Sequence, residues 1–196
     1  MSESKLNNLS ILKETTFSPD TFIESGSYLG DSIKWALQNG FDNIYSVDID
    51  RTFTKHCNER FNKENKKKVN LYHKSSVDFF ASDEIIDVMK NQDCLFFLDG
   101  HIHSHEGHDT YTEEGQEFPI LKELNIIKKH ATKTSIIIVD DIDGFESYGI
   151  DGNEIDNILH KINPEYMKHE QGGMWIYIPP PSSSESICIG AISIST

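Results

Sequence analysis

The sequence predicts an α/β fold, a mostly parallel sheet covered by helices on both faces, and three observations predict it. Five short apolar runs rich in β-branched and aromatic residues recur as far as Val139, the first four about every two dozen positions. Each is followed by a stretch with helical spacing, the kind of crossover that parallel neighbours need. The last two runs are almost wholly apolar, as strands covered on both faces must be.

The first strand is Thr21-Phe22-Ile23, and the helix after it carries Ile33, Ala36 and Leu37. Ile44-Tyr45-Ser46-Val47 is the second, followed by a helix in which Phe53, Cys57 and Phe61 fall four apart. A basic cluster at 63–68 lies where that helix should end, and cations there favour its dipole. Val69-Asn70-Leu71-Tyr72 is the third strand, and Ile85 and Met89 mark the helix behind it. Cys94-Leu95-Phe96-Phe97-Leu98 and Ser135-Ile136-Ile137-Ile138-Val139 are the fourth and fifth. Between them, Pro119 suits the first turn of a helix carrying Ile120, Leu121, Leu124 and Ile127, because its missing N–H would have no partner there.

A further helix, with Ile155, Ile158, Leu159 and Ile162 on one stripe, is stopped by Pro164. The rhythm then changes. Met174–Ile178 and 187–194 read as two strands, and the proline-serine link at 179–184 is too short for a crossover helix, so they should pair antiparallel. The expected organisation is one domain over 1–196, with an N-terminal extension at 1–18, five parallel strands, and an antiparallel C-terminal hairpin.

A chain of 196 residues can bury a sizeable core without covalent staples. Its three cysteines, Cys57, Cys94 and Cys188, form no Cys-x-x-Cys pair and read as reduced thiols. The first fourteen residues lack an apolar core of signal-peptide length, and no later run approaches membrane-spanning length, so a cytoplasmic protein is expected. A net charge of −14 repels phosphate backbones, which argues against nucleic acid as a partner and for a small molecule. A homo-oligomer is compatible with all of this.

In an open parallel sheet, ligands bind outside the carboxyl ends of the strands. After the first strand comes Glu24-Ser25-Gly26-Ser27-Tyr28-Leu29-Gly30-Asp31. Gly26 and Gly30 can let backbone approach a ligand, and Asp31 can cap the next helix. The second strand ends in Asp48-Ile49-Asp50, where one acid can accept the hydroxyls of a ribose while the other caps the following helix. On these residues, about 20–180, the sequence resembles the class I S-adenosylmethionine-dependent methyltransferases, which implies a Rossmann-like, doubly wound sheet. The resemblance implies that Glu24, Gly26, Ser27 and Gly30 line the methionine end of the cofactor and Asp48 its ribose. It also puts Ser75 and Ser76 at the adenine, where the family often has an acid, and Asp99 beside the cofactor.

The fourth and fifth strands end in Phe97-Leu98-Asp99-Gly100-His101 and Ile138-Val139-Asp140-Asp141-Ile142-Asp143. Neighbouring strand ends would bring Asp99, Asp140 and Asp141 to one spot, which is costly unless a cation or protons compensate. Hard oxygen ligands suit Mg²⁺, with Mn²⁺ and Ca²⁺ as alternatives. The arrangement resembles the metal site of divalent-cation-dependent O-methyltransferases of the catechol and macrocin types. That resemblance implies methylation of a sugar, phenol or other natural product. The lysine that follows the fourth-strand acid by three residues in the catechol type is Ile102 here, which leaves His101, or else His103, as the base. A neighbouring cation should keep that imidazole neutral.

A long loop at 102–117, with histidines alternating through 101–108, reads as part of the active site. It also raises two other readings. Asp99-Gly100-His101-Ile102-His103 resembles the Asp-x-His-x-His opening of metal-dependent amidohydrolases, although that family has its motif on the first strand of a barrel of typically ~250 residues. The other is a ligand-binding paralogue that keeps the fold without catalysis.

Overall fold

The structure is a computed structural model that describes residues 4–15, 18–61, 68–101, 104–105, 108–109 and 118–181. After a short 3₁₀ turn (Lys5–Asn8) come α1 (Ser10–Glu14), β1 (Thr21–Ser25), α2 (Asp31–Gln38), β2 (Asn43–Asp48) and α3 (Arg51–Phe61). Then follow β3 (Val69–His73), α4 (Ser76–Phe80), α5 (Asp83–Asn91) and β4 (Cys94–Leu98). The two-residue strands β5 (Ser104–His105) and β6 (His108–Asp109) pair antiparallel. The chain continues with α6 (Ile120–His130), β7 (Ile136–Val139), α7 (Gly152–Leu159), β8 (Met167–Gln171) and β9 (Met174–Ile178).

One seven-stranded sheet runs in the order β3-β2-β1-β4-β7-β9-β8. Its first five members are mutually parallel. Alternate side chains feed two cores. Ile23, Phe96, Leu98, Ile137 and Val139 pack with Phe79, Phe80, Ile85, Met89, Leu124, Ile127 and Leu159 of α4 to α7. Phe22, Leu95, Phe97, Ile136 and Ile138 pack on the other face with Ile33, Trp35, Cys57 and Phe61 of α2 and α3, and with Leu6 and Leu9. The N-terminal segment is therefore part of the second core. Such double coverage accounts for the unbroken apolar character of β4 and β7, whose residues are all buried.

The strand Met174–Ile178 stands as expected, and the hairpin differs in its partner. Met174–Ile178 is flanked on both sides, by β7 and β8, both antiparallel to it. Its hairpin partner is thus Met167–Gln171; the expected arm at 187–194 lies outside the described residues. Gly172 and Gly173, at φ +64° and +76°, form the two-residue turn that joins the arms. The polar arm Met167-Lys168-His169-Glu170-Gln171 is the exposed sheet edge, so it lacks the apolar alternation by which a strand is read.

Two capping expectations also resolve. Asp31 is the first residue of α2, not its cap; Gly30 occupies the cap position, and Asp31 pairs with Arg60 at 2.9 Å. Asp50 accepts the Thr52 N–H at 2.6 Å at the start of α3. In the basic cluster at 63–68, only Lys68 is described, and it pairs with Asp42. Among the described residues no helix is long and apolar enough to cross a membrane.

Candidate active site

Register places the carboxyl ends of the central strands side by side: Ser25 lies opposite both Val47 and Leu98, and Leu98 opposite Val139. Whatever follows these residues meets at one edge. After β1 the chain turns at Gly26, φ +88°, and a Cβ added there would stand 2.4 Å from the Asp99 carbonyl oxygen. Only glycine lets this turn cross the end of β4. Gly30 answers a different need: its missing Cβ makes room for Phe61, 2.6 Å away, so it serves the packing of α3.

Glu24 is fully buried at 0 % exposure, and its Oε1 accepts a hydrogen bond from the Ser46 hydroxyl at 2.6 Å. Ser27 meets the same Ser46 hydroxyl. Burial pushes the Glu24 carboxyl up to about 8, so at neutral pH it is mostly protonated. Asp48, buried at the end of β2, accepts the Tyr28 N–H on Oδ2 and the Asp50 N–H on Oδ1, each at 2.8 Å. Burial raises it to about 6 against the pull of those two donors. Each oxygen keeps one lone pair for a ligand. Ser75 caps α4 by accepting the Asp78 N–H at 3.1 Å, while the Ser76 hydroxyl is turned to Glu123.

The ends of β4 and β7 carry the charged cluster. His101 stands between two carboxylates, with Nδ1 3.2 Å from Asp99 Oδ1 and Nε2 2.9 Å from Asp141 Oδ2. Asp99, His101 and Asp141 each offer one ligand atom within 4.8 Å of the other two. Asp140 lines one cavity with Asp99 and His101 but is taken up by another group. Its oxygens lie 3.2 and 3.1 Å from the Lys5 ammonium, which also reaches Asp141 Oδ1 at 2.8 Å. Of the three acids expected to converge, all arrive, but the metal-competent trio contains His101 in place of Asp140.

Electrostatics follow from these contacts. Burial works against a charge on His101, but the hydrogen bonds to Asp141 and Asp99 outweigh it and raise its pKa to about 10. Without a cation between them, the two carboxylates thus favour the protonated imidazole; the neutral form was expected of an imidazole beside a bound cation. The bond from His101 and the Lys5 ammonium hold Asp141 well below the usual carboxylate range, against its burial. Burial and the charge of Asp99 push Asp140 up. Lys5 is raised, since its bonds to Asp141 and Asp140 outweigh the cost of its partial burial.

Three contributors were not legible as site residues. Lys5 comes from the N-terminal segment. Glu123, 1 % exposed, lines a small cavity with Asp99, His101, Asp140, Phe118 and Phe145, and its Oε1 has no hydrogen-bond partner. Burial pushes this carboxyl up to about 7. An acid on the apolar stripe of α6, three after Ile120 and four before Ile127, was the available signal. Phe118 is the third; its ring stacks on His101 at 5.5 Å and meets Tyr148 at 4.5 Å and Phe145 at 5.9 Å. Trp175 packs on Phe145 and over Gly152.

His103 and most of the loop at 102–117 lie outside the described residues. Asp99 and His101 of the Asp-x-His-x-His pattern do meet, but they sit on an open sheet with β3 and β8 at its edges, not on a closed barrel.

No protein-family model and no curated protein sequence matches the chain. Solved structures do. The chain is similar to yhhF from Escherichia coli, described as a methyltransferase, at 10 % identity with a TM-score of 0.54, covering 89 % of this chain and 82 % of that one. Similar too is the O-methyltransferase TomG from Streptomyces achromogenes, involved in tomaymycin synthesis and solved with S-adenosylmethionine: 11 % identity, TM-score 0.52, 83 % of this chain and 74 % of that one. Spermidine synthase from Thermotoga maritima matches at 10 % identity and a TM-score of 0.50, over 81 % of this chain and 51 % of that one. With the parallel strands in the order β3-β2-β1-β4-β7 and β9 inserted antiparallel beside β7, the chain has the fold of the class I S-adenosylmethionine-dependent methyltransferases.

Proposed function

We propose that this chain transfers the methyl group of S-adenosylmethionine to an oxygen of a small molecule, assisted by a divalent cation. One observation carries the reading: the Gly26 turn, where the resemblance puts the methionine end of the donor, crosses directly against Asp99, and Asp99 belongs to the trio with His101 and Asp141. Donor site and cation site share a wall. The donor set fits an ion, with two carboxylates and an imidazole in reach of one point.

Asp48 would accept the ribose hydroxyls through the lone pairs that Tyr28 and Asp50 leave over, and the left-handed turn at Gly26 would bring backbone to the methionine portion. Phe118 and Phe145 form an apolar wall beside the cluster and exclude water from the acceptor. When bound, the divalent cation lowers the pKa of the acceptor hydroxyl and orients it for in-line displacement. His101, between two acids, would give up a proton on the cation's arrival and hold the ion as a neutral ligand, and a histidine engaged in this way is not the base. A phenol, a sugar or another small natural product is the acceptor class.

The test is calorimetry with S-adenosylhomocysteine, followed by transfer of labelled methyl from the donor to a panel of catechols and sugars, with and without Mg²⁺ or Mn²⁺. Cofactor binding and cation-dependent transfer are expected. A chain that binds neither cofactor form, even at high concentration, would refute the reading.

A further inference from the structure

Lys5 lies 135 residues from Asp140 in the chain, yet its position is built into the fold. Leu6 and Leu9, each 1 % exposed, are inserted in the core beside Phe22 and Ile33. Ser4 accepts the Leu6 N–H at 3.3 Å, and Gln171 donates to the Asn8 carbonyl at 2.7 Å. These anchors hold the 3₁₀ turn across the end of β7, and Lys5 extends from it to both oxygens of Asp140 and one of Asp141.

The ammonium therefore occupies what would be the third carboxylate of an all-oxygen site. Asp140 Oδ1 also accepts the Asp141 N–H at 2.7 Å, so both its oxygens are engaged. The groups left to an ion are Asp99, Asp141 through the oxygen facing His101, and His101 itself once it gives up the proton it shares with them. Glu123, buried with an unpartnered Oε1 in the adjoining cavity, adds an independent sign that this edge of the sheet is shaped for a ligand.

We infer that Lys5 selects the ion: by sequestering Asp140 it leaves a mixed nitrogen and oxygen ligand set, Asp99, His101 and Asp141, suited to a first-row transition ion such as Mn²⁺, Fe²⁺, Co²⁺ or Zn²⁺ over Mg²⁺. Imidazole favours these ions, whereas Mg²⁺ prefers oxygen donors in near-ideal octahedral geometry. Any ion drawn to Asp140 must first displace a tethered charge from the same oxygens, and a small, strongly hydrated ion loses most by losing that carboxylate. The inference rests on the cation reading proposed above and deepens it.

Binding of Mn²⁺ to the full chain is measured by electron paramagnetic resonance of the free ion, and Mg²⁺ by competition, for the wild type and for Lys5→Met and His101→Ala. The wild type is expected to hold Mn²⁺ more tightly than Mg²⁺. In Lys5→Met, which frees Asp140, the ratio of the two affinities should fall by about tenfold or more through a gain for Mg²⁺. His101→Ala should lose Mn²⁺ affinity by about tenfold or more and change Mg²⁺ little. Circular dichroism confirms that each variant is folded; if Lys5→Met is not, Lys5→Gln, which keeps a polar chain without the charge, takes its place. Ions bound with an unchanged ratio in the Lys5 variant would overturn this inference alone. If no ion binds to any of the chains, the cation reading falls with it.

Discussion

Gly26 and Gly40 share a backbone conformation, φ +88° and +87°, and differ in what stands over them. At Gly40 an added Cβ meets nothing within 4 Å, so Gly40→Ala carries only the cost of an L-residue in left-handed space, about 1–2 kcal/mol. At Gly26 the same Cβ would lie 2.4 Å from the Asp99 oxygen and 2.9 Å from its carbonyl carbon. Both are backbone atoms of a strand end that cannot swing aside as a side chain can. Gly26→Ala therefore adds a steric term to the same conformational cost, and the total should reach about 3–5 kcal/mol, in the range of severe single substitutions. Urea unfolding of the two variants separates the terms, since their difference is the clash alone. Calorimetry with S-adenosylhomocysteine reads the local consequence: Gly26→Ala should lose binding, because relief of the clash parts the turn from Asp99, whereas Gly40→Ala should bind as the wild type does. Equal stability losses in the two variants would refute the close approach of turn and strand, and with it the proposal that donor and cation sites share a wall.

Other perturbations test the electrostatics. The Glu24 carboxyl has a folded pKa of about 8 against an ordinary 4.5; below the lower value both states hold the proton, and between the two only the folded state does. Stability should thus fall as pH rises from about 5 to 8, by up to ~1.4 kcal/mol per unit, and Glu24→Gln should flatten that slope in urea unfolding followed against pH. Asp48→Ala should weaken S-adenosylhomocysteine binding by the ~1.5–3 kcal/mol of a hydrogen bond to a charged group, measured by calorimetry; unchanged affinity would remove Asp48 from the cofactor site. Chelation with EDTA should abolish methyl transfer and leave cofactor binding intact, and full turnover in EDTA would favour a metal-free route. His101→Ala should lose turnover and Mn²⁺ binding in parallel, with no recovery at high pH; recovery there with the ion still bound would restore the role of base to this residue.

The central strands were legible because double coverage leaves a direct trace in composition: Cys94–Leu98 reads as a buried strand from its residue types alone, and the structure places it at those bounds. The acids at the ends of β4 and β7 were legible for a related reason. In a parallel sheet, neighbouring strand ends share an edge, so Asp99, Asp140 and Asp141 had to arrive together once the strands were assigned. Glu123 left a weaker trace, an acid on an apolar stripe, which composition shows but whose direction only packing explains.

What the sequence by itself determined is thus the local and periodic part of this protein: which segments are strands, which helical faces are buried, and which strand ends carry acids. The tertiary structure alone decided the partners. Met167–Gln171 is a strand because β9 offers it an edge and Gly172-Gly173 turns it there, not because its own residues prefer that state. His101 meets Asp141, and Lys5 holds Asp140, because charges far apart in sequence are brought within about 3 Å, where pairing outweighs the desolvation that each group would suffer alone. Such energies depend on separation in space, and nothing in the spacing of residues along the chain encodes them.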